Sequence, residues 1–389
     1  MSTDGTDDTQ CSQTATDSRS RRDFLKKTGV VSLLGGTGSL AGFTGTGVAI
    51  QRSTLNLTSF PLNYDGVIAT YIEREGILEK KMDAAGYDYT LQFVFEDIPL
   101  FVSGKSDHVN MGTLETARLA AERDIPLAQC GRIDSTFYGP QVKAGSDLTV
   151  GNSGGIEQSL KKLANDNGRL AILGWGIGYI PAEQVYMRTQ YDLEFSEQGG
   201  DFSNVVTADP AAIPTMIVEG DVAAGMIAPT SSPAQQWYND EIEPLYWDTD
   251  ALMAAGLGNP LLSGPVFKQS TVEQKRDGIQ AYMDALEEGC KWFYDEGIDK
   301  VPKDEELRGK LNAPNEEVAR FQCNWLAAWH TGKDVKYALD NVTGYRQPKL
   351  DDTWIEQDRK YVNNANEFGL VADDWSEDKW GDLVTHEKF

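Results

Sequence analysis

Residues 98–131, IPLFVSGKSDHVNMGTLETARLAAERDIPLAQCG, carry the pattern that decides the fold. A short helical turn at Ile98–Val102 runs into Ser103-Gly104-Lys105-Ser106-Asp107, a sequence of turn formers. His108–Met111 then reads as a buried strand, Gly112-Thr113 opens a helix through Arg123, and Ile125–Gly131 is a further strand. Strand, helix, strand is the grammar of a largely parallel sheet, because only a crossover returns the chain in the same direction.

Working outward, the same alternation continues on both sides. Upstream, Ser53–Ser59 is a strand with Leu55 and Leu57 on one face, and Phe60-Pro61-Leu62-Asn63 is a turn. Tyr64–Glu75 is a helix with Val67, Ile68, Tyr71 and Ile72 at helical spacing, and Tyr87–Phe95 alternates as a strand. Downstream, Gln141–Ala144 is extended and a second α/β series begins. It comprises a helix at Ser153–Asn165, a strand at Leu170–Leu173, the loop Gly174-Trp175-Gly176-Ile177-Gly178-Tyr179 and a helix from Pro181 to Gln190. A strand at Asn204–Thr207, a helix opened by Asp209-Pro210 and a strand at Val222–Ile227 complete it. Leu261–Phe267 is extended again. Helices follow near Val272–Glu296, Asp304–Arg308, Glu316–His330, Lys333–Asn341 and Thr353–Phe368.

Bulk properties set limits on function. In 389 residues, 35 Lys+Arg stand against 60 Asp+Glu, a net charge of −25. Such a chain has no basic surface for nucleic acid. Self-repulsion of this size is relieved by molar salt, which shortens the Debye length to about 3 Å, so a halophilic source is expected. A single core stops growing near 250–300 residues, so about two lobes are expected.

The first 49 residues read as an address. After a Thr/Ser/Asp/Gln-rich start expected to be disordered, Ser20-Arg21-Arg22-Asp23-Phe24-Leu25-Lys26 resembles a twin-arginine export signal. The 24 uncharged residues 28–51 that follow contain seven glycines, too many for a stable buried helix. Cleavage after Ala49 would leave 340 residues, and an uncleaved stretch is long enough to span a bilayer. Residues 1–49 hold five acids and five bases, so the whole net charge lies in the body. Cys130, Cys290 and Cys323 are too scattered for a disulfide framework or zinc site; Cys290 and Cys323 could pair or stay as two buried thiols.

Several short motifs in order resemble the solute-binding proteins of ABC transporters, in the nitrate/sulfonate/taurine group that also includes binders of thiamine-pyrimidine precursors. They are Gly76-Ile77-Leu78-Glu79-Lys80, Val102-Ser103-Gly104-Lys105-Ser106-Asp107-His108-Val109, Met111-Gly112-Thr113, and Val218-Glu219-Gly220-Asp221-Val222-Ala223-Ala224 with Pro229. The acid in the last motif is displaced by one place. The resemblance spans about residues 53–370 and implies an α/β, two-lobe clam-shell fold of the periplasmic-binding-protein type II class, with two crossovers and C-terminal helices. Lobe 1 would combine residues 53–140 and 256–344, lobe 2 would be 141–255, and 345–389 would pack on lobe 1 as helices.

Ligand in such a fold sits between lobes at the carboxyl ends of the strands. The candidate ligand residues are Phe60, Asn63 and Tyr64 after the first strand, Gly112 and Thr113 at a helix start, and Gly174, Trp175, Gly176 and Tyr179 in lobe 2. Gly112-Thr113 offers free amides to an anionic group, while Trp175 and Tyr179 offer aromatic walls. Tyr64 can equally be core packing, Thr113 a helix cap, Glu115 a solvent-facing residue or a cap of its own helix, and Arg132 either a ligand partner or a structural ion pair. His108, His330 and His386 form no metal-ligand or nucleophile spacing, so no cofactor, metal or catalysis is expected. The expected protein is a monomeric extracytoplasmic substrate-binding component that hands a small, organic and possibly anionic solute to an ABC permease and ATPase. An exported enzyme on the same fold, or a solute sensor, is the alternative. The sequons Asn56-Leu57-Thr58 and Asn341-Val342-Thr343 permit glycosylation.

Overall fold

The structure, a computed structural model, describes residues 52–389 apart from 136, 167, 231–233, 260 and 332–347. The export signal, the expected helix Lys333–Asn341 and the second sequon lie outside the described residues. Strand β1 (Ser53–Ser59) pairs in parallel with β2 (Tyr87–Phe93) through the crossover helices α1 (Asn63–Arg74) and α2 (Ile77–Ala85). Leu55 and Leu57 face the core, as the alternation requires.

Next to β1 lies β3 (His108–Asn110), joined where Asp107 N–H donates to Asn56 O at 2.9 Å. The His108 ring is fully buried and its Nδ1 accepts from Thr58 N–H at 3.3 Å; burial pushes its pKa down to about 3. It is a neutral core histidine that ties two strands. Asn56, in the first sequon, is engaged by Asp107 at 3.2 Å within this strand network, and Thr58 is buried. From β3 the chain enters α3 (Thr113–Arg123) and β4 (Leu127–Gln129).

The chain then crosses to a second sheet along β5 (Asp134–Ser135). That sheet gathers β6 (Pro140–Lys143), β7 (Leu170–Ile172), β10 (Val205–Thr207), β11 (Ala224–Met226) and β12 (Ile242–Pro244), with α4 (Ile156–Asn165), α5 (Ile180–Tyr191) and α6 (Ile213–Glu219) between strands and the hairpin of β8 (Phe195–Ser196) and β9 (Gly199–Gly200) after α5. Its order is β10-β7-β11-β6-β12. Central strands β7 and β11 are buried on both faces, as helix-covered strands are. The return path runs through α7 (Asp248–Ala254) and β13 (Leu261–Ser263) into β14 (Pro265–Lys268). There β14 inserts antiparallel between β3 and β4. The two crossing segments pair with each other, β13 antiparallel to β5. The long helices α8 (Gln269–Trp292), α9 (Glu316–Thr331) and α10 (Asp352–Glu367) follow.

Three expectations need correction. The sheets are mixed rather than largely parallel, because β14 runs antiparallel to β3 and β4, and β6 to β11 and β12. The helix expected from Ser153 starts at Ile156, because Gly154 (φ 94°) and Gly155 (φ 144°) break the chain after a separate turn capped by Thr149. The terminal segment is not helical throughout. Besides α10 it contains β15 (Val384–His386), which pairs in parallel with β4 and completes the order β15-β4-β14-β3. An unpaired β4 edge and the apolar Val384 together favour that strand. Cys130, Cys290 and Cys323 are buried free thiols.

Candidate functional site

The loop after β1 turns tightly. A Cβ on Gly66 would stand 2.7 Å from the carbonyl of Pro61, and Asn63 adopts φ 61° to start α1. Tyr64 is buried edge-on against Phe293, with ring centroids 5.0 Å apart, so core packing accounts for it. Phe60 sits edge-on to Phe95 at 5.4 Å. The residue that faces the crossing segments is Asp65, in the first turn of α1 and 6% exposed; its Oδ2 accepts from Ser263 Oγ of β13 at 2.7 Å. Ser263 pairs with Asp134 of β5. Burial and the nearby Asp134 charge drive the Asp65 pKa well up, and burial lifts that of Asp134 to about 8.

At the start of α3, glycine is obligatory at 112, where a Cβ would lie 2.3 Å from Leu261 O of β13. Its N–H donates to Glu115 Oε2 at 3.1 Å, so Glu115 caps its own helix. Thr113 is fully buried and donates its hydroxyl to Asp358 of α10. Glu115 also touches the second sheet's loop, since a Cβ on Gly178 would stand 3.0 Å from its Oε1. The start of α3, the exit from β7 and the crossing segment β13 therefore meet.

On the far side, Gly174 (φ 159°) releases β7 into its loop. Trp175 is half-buried against Phe195 of the β8–β9 hairpin, at 4.8 Å between centroids, and Gly176 is exposed. Tyr179 is fully buried, stacked 4.3 Å from Tyr138 with planes 8° apart, and its hydroxyl accepts from Leu173 N–H at 3.0 Å. Arg132 is buried with its guanidinium 3.6 Å over the Trp354 ring, a contact within the chain.

Of the residues singled out from sequence, Gly112, Thr113 and Tyr179 come to the junction of the two sheets, and Asn63 and Tyr64 lead into Asp65 beside it. Phe60 packs on Phe95 and Trp175 on Phe195. Sequence reading missed Asp65, Tyr138, Glu183 and Asp248. Glu183, fully buried in the first turn of α5, accepts the Tyr246 hydroxyl, and burial raises its pKa to about 8. Asp248, also fully buried, opens α7, and its N–H donates to Tyr138 O at 2.9 Å. The available signal was positional: each acid lies in the first turn of a helix that follows a loop. Among the described residues, no group of three or more His, Cys, Asp or Glu could hold a metal ion. Surface recesses of about 280, 380 and 350 Å³ lie elsewhere, around Arg188, Trp292 and Arg169.

No family model and no curated protein sequence matches the chain. Solved structures do. The alkanesulfonate-binding protein SsuA from Xanthomonas axonopodis pv. citri, bound to MOPS, is 13% identical with TM-score 0.57, over 87% of this chain and 100% of that one. The nitrate-binding protein NrtA from Synechocystis PCC 6803 is 13% identical with TM-score 0.53, over 83% of each chain. A Candida albicans protein described as having the generic periplasmic binding protein fold is 14% identical with TM-score 0.52, over 85% of this chain and 96% of that one. These likenesses establish the fold: two α/β sheets joined by crossing segments, in the periplasmic-binding-protein arrangement.

Proposed function

We propose that this chain is an exported solute-binding protein of an ABC importer, built on the fold that it shares with nitrate- and alkanesulfonate-binding proteins. It takes a small organic solute between its lobes, closes on it and presents it to the permease. It carries out no reaction on the solute. The observation that carries this reading is the convergence of the loop after β1, the start of α3 and the exit of β7 on a paired hinge, β5 with β13. Ligands of open α/β sheets bind at such strand ends, and hinge closure then shields them.

Residues 53–140 with 256–344 form lobe 1 in this reading, and 141–255 form lobe 2. Asn63, Gly112, Gly174, Trp175 and Gly176 bound the cleft in this reading, with Phe60, Tyr64, Thr113 and Tyr179 packed behind its walls. The twin-arginine segment directs export, and the body works outside the cytoplasm as a monomer. Native mass spectrometry of protein purified in molar KCl tests the proposal. A small molecule bound one-to-one, released on denaturation and weakened by Trp175→Ala, is expected. Turnover of the released compound would overturn the non-catalytic reading.

A further inference from the structure

The chemistry at the hinge points away from an anionic solute. Helices α1, α3, α5 and α7 all start near the crossing segments, and each has a carboxylate in its first turn: Asp65, Glu115, Glu183, and Asp248 with Asp250. The positive ends of these helices, where an anion would be received, are thus served by the chain's own acids. At α3 the service is direct: Gly112 N–H is taken by Glu115 and the Thr113 hydroxyl by Asp358.

An independent observation concerns acceptors. Asp65 is buried and its Oδ2 is satisfied by Ser263, yet its Oδ1 accepts no hydrogen bond. Asn259 Oδ1, on a residue 1% exposed, is an acceptor in the same state. A buried acceptor without a donor costs about 1–3 kcal/mol, and more when it is charged, so an ionised Asp65 needs a ligand that brings an N–H group to this oxygen.

Resting on the solute-binding reading above, we propose that the solute carries a protonated amine and that Asp65 Oδ1 receives it, with Ser263 holding the carboxylate in place. A quaternary ammonium has no N–H to give this oxygen. Facing Asp65 are Asp134 of β5, Asp97 ahead of the 98–102 turn, and Tyr282 of α8, with Cys290 of α8 also in the electrostatic neighbourhood. Burial and these acids keep a proton on the empty Asp65–Asp134 pair near neutrality. Amine binding ionises the pair, and the displaced proton passes to solvent.

Isothermal titration of the whole folded protein in 2 M KCl, in two buffers of different ionisation enthalpy, tests this. The probes are ethanolamine and putrescine, with tetramethylammonium, ethanesulfonate and nitrate beside them, and native mass spectrometry identifies any solute that co-purifies. The expected result is an amine ligand, from the probes or co-purified, that binds with proton release. Asp65→Asn should weaken it at least about 30-fold, as loss of a buried charged partner does. Ser263→Ala, which keeps the charge and removes its orienting donor, should weaken it about 2- to 10-fold and serves if Asp65→Asn does not fold. An amine whose affinity neither variant changes overturns the proposal. A sulfonate, nitrate or uncharged solute bound instead also overturns it, while leaving solute binding intact. No solute of any class, bound or released, overturns both.

Discussion

Gly112 shows how far a single residue can be constrained by a partner that no local pattern reveals. Its backbone is ordinary, but the Leu261 carbonyl of β13 occupies the place of a side chain. Gly112→Ala should therefore lower stability by about 1–3 kcal/mol through forced separation of α3 and β13, seen as a reduced midpoint in denaturant titration at fixed salt. One position on, Thr113→Val would leave the buried Asp358 carboxylate short of its donor, at a cost of about 1–3 kcal/mol by the same measurement. The sequence marks Gly112-Thr113 as a strand-to-helix junction, because turn formers, an apolar strand and an amphipathic helix follow in order. It does not mark Asp358, 245 residues away, as the group that covers it. Tyr179 is the converse case: its aromatic character drew attention as a ligand wall, and the structure stacks it on Tyr138 in the interior. Chemistry was legible there and direction was not, since side-chain partners across the crossing segments are set by tertiary packing.

At the scale of elements, apolar periodicity and apolar runs bounded by turn formers mark β1, α1, β2, α3, β7 and α8 within a few residues. They fail where a short segment is held by distant neighbours. Strand β15 has only three residues and exists because β4 offers a free edge. Deleting residues 384–389 should re-expose that edge and also remove His386, whose Nε2 lies 3.6 Å from the buried Asp358 Oδ2. The expected outcome is a lower Tm together with concentration-dependent light scattering from edge pairing. Helix α10 likewise had a readable amphipathic pattern, yet its role as the cover of the α3 start came only from packing.

For the whole molecule, the −25 net charge belongs entirely to residues 50–389. Raising KCl from about 0.15 to 2 M at pH 7 should raise Tm, steeply at first and then less so as screening saturates near a Debye length of about 3 Å. pH acts differently, through the buried acids. Glu183 and Asp134 hold folded-state pKa values near 8, against 4.5 and 3.8 for ordinary Glu and Asp. The folded protein keeps these protons while the unfolded chain gives them up, so the contribution of these two acids is full below the unfolded values and declines as pH rises towards 8. Asp284, held below the usual range by the Lys349 hydrogen bond, and Asp304, held there by hydrogen bonds from Leu307 N–H and Arg74, are already ionised in that window and do not oppose the decline. In 2 M KCl, Tm measured from pH 5 to pH 8.5 should fall, and Glu183→Gln should flatten the slope.

The topology also fixes an order of events during synthesis. The sheet of β6, β7, β10, β11 and β12 is drawn from one unbroken run, residues 140–244, and can assemble while the ribosome is still at work on the remainder. The other sheet interleaves β3 and β4 with β14 and takes its outer strand from residues 384–386. That half stays open-edged until residues 384–386 have been made. A nascent chain of this protein therefore passes through a long interval with one lobe formed and the other waiting, and a chaperone that guards β-edges would find its client in the second.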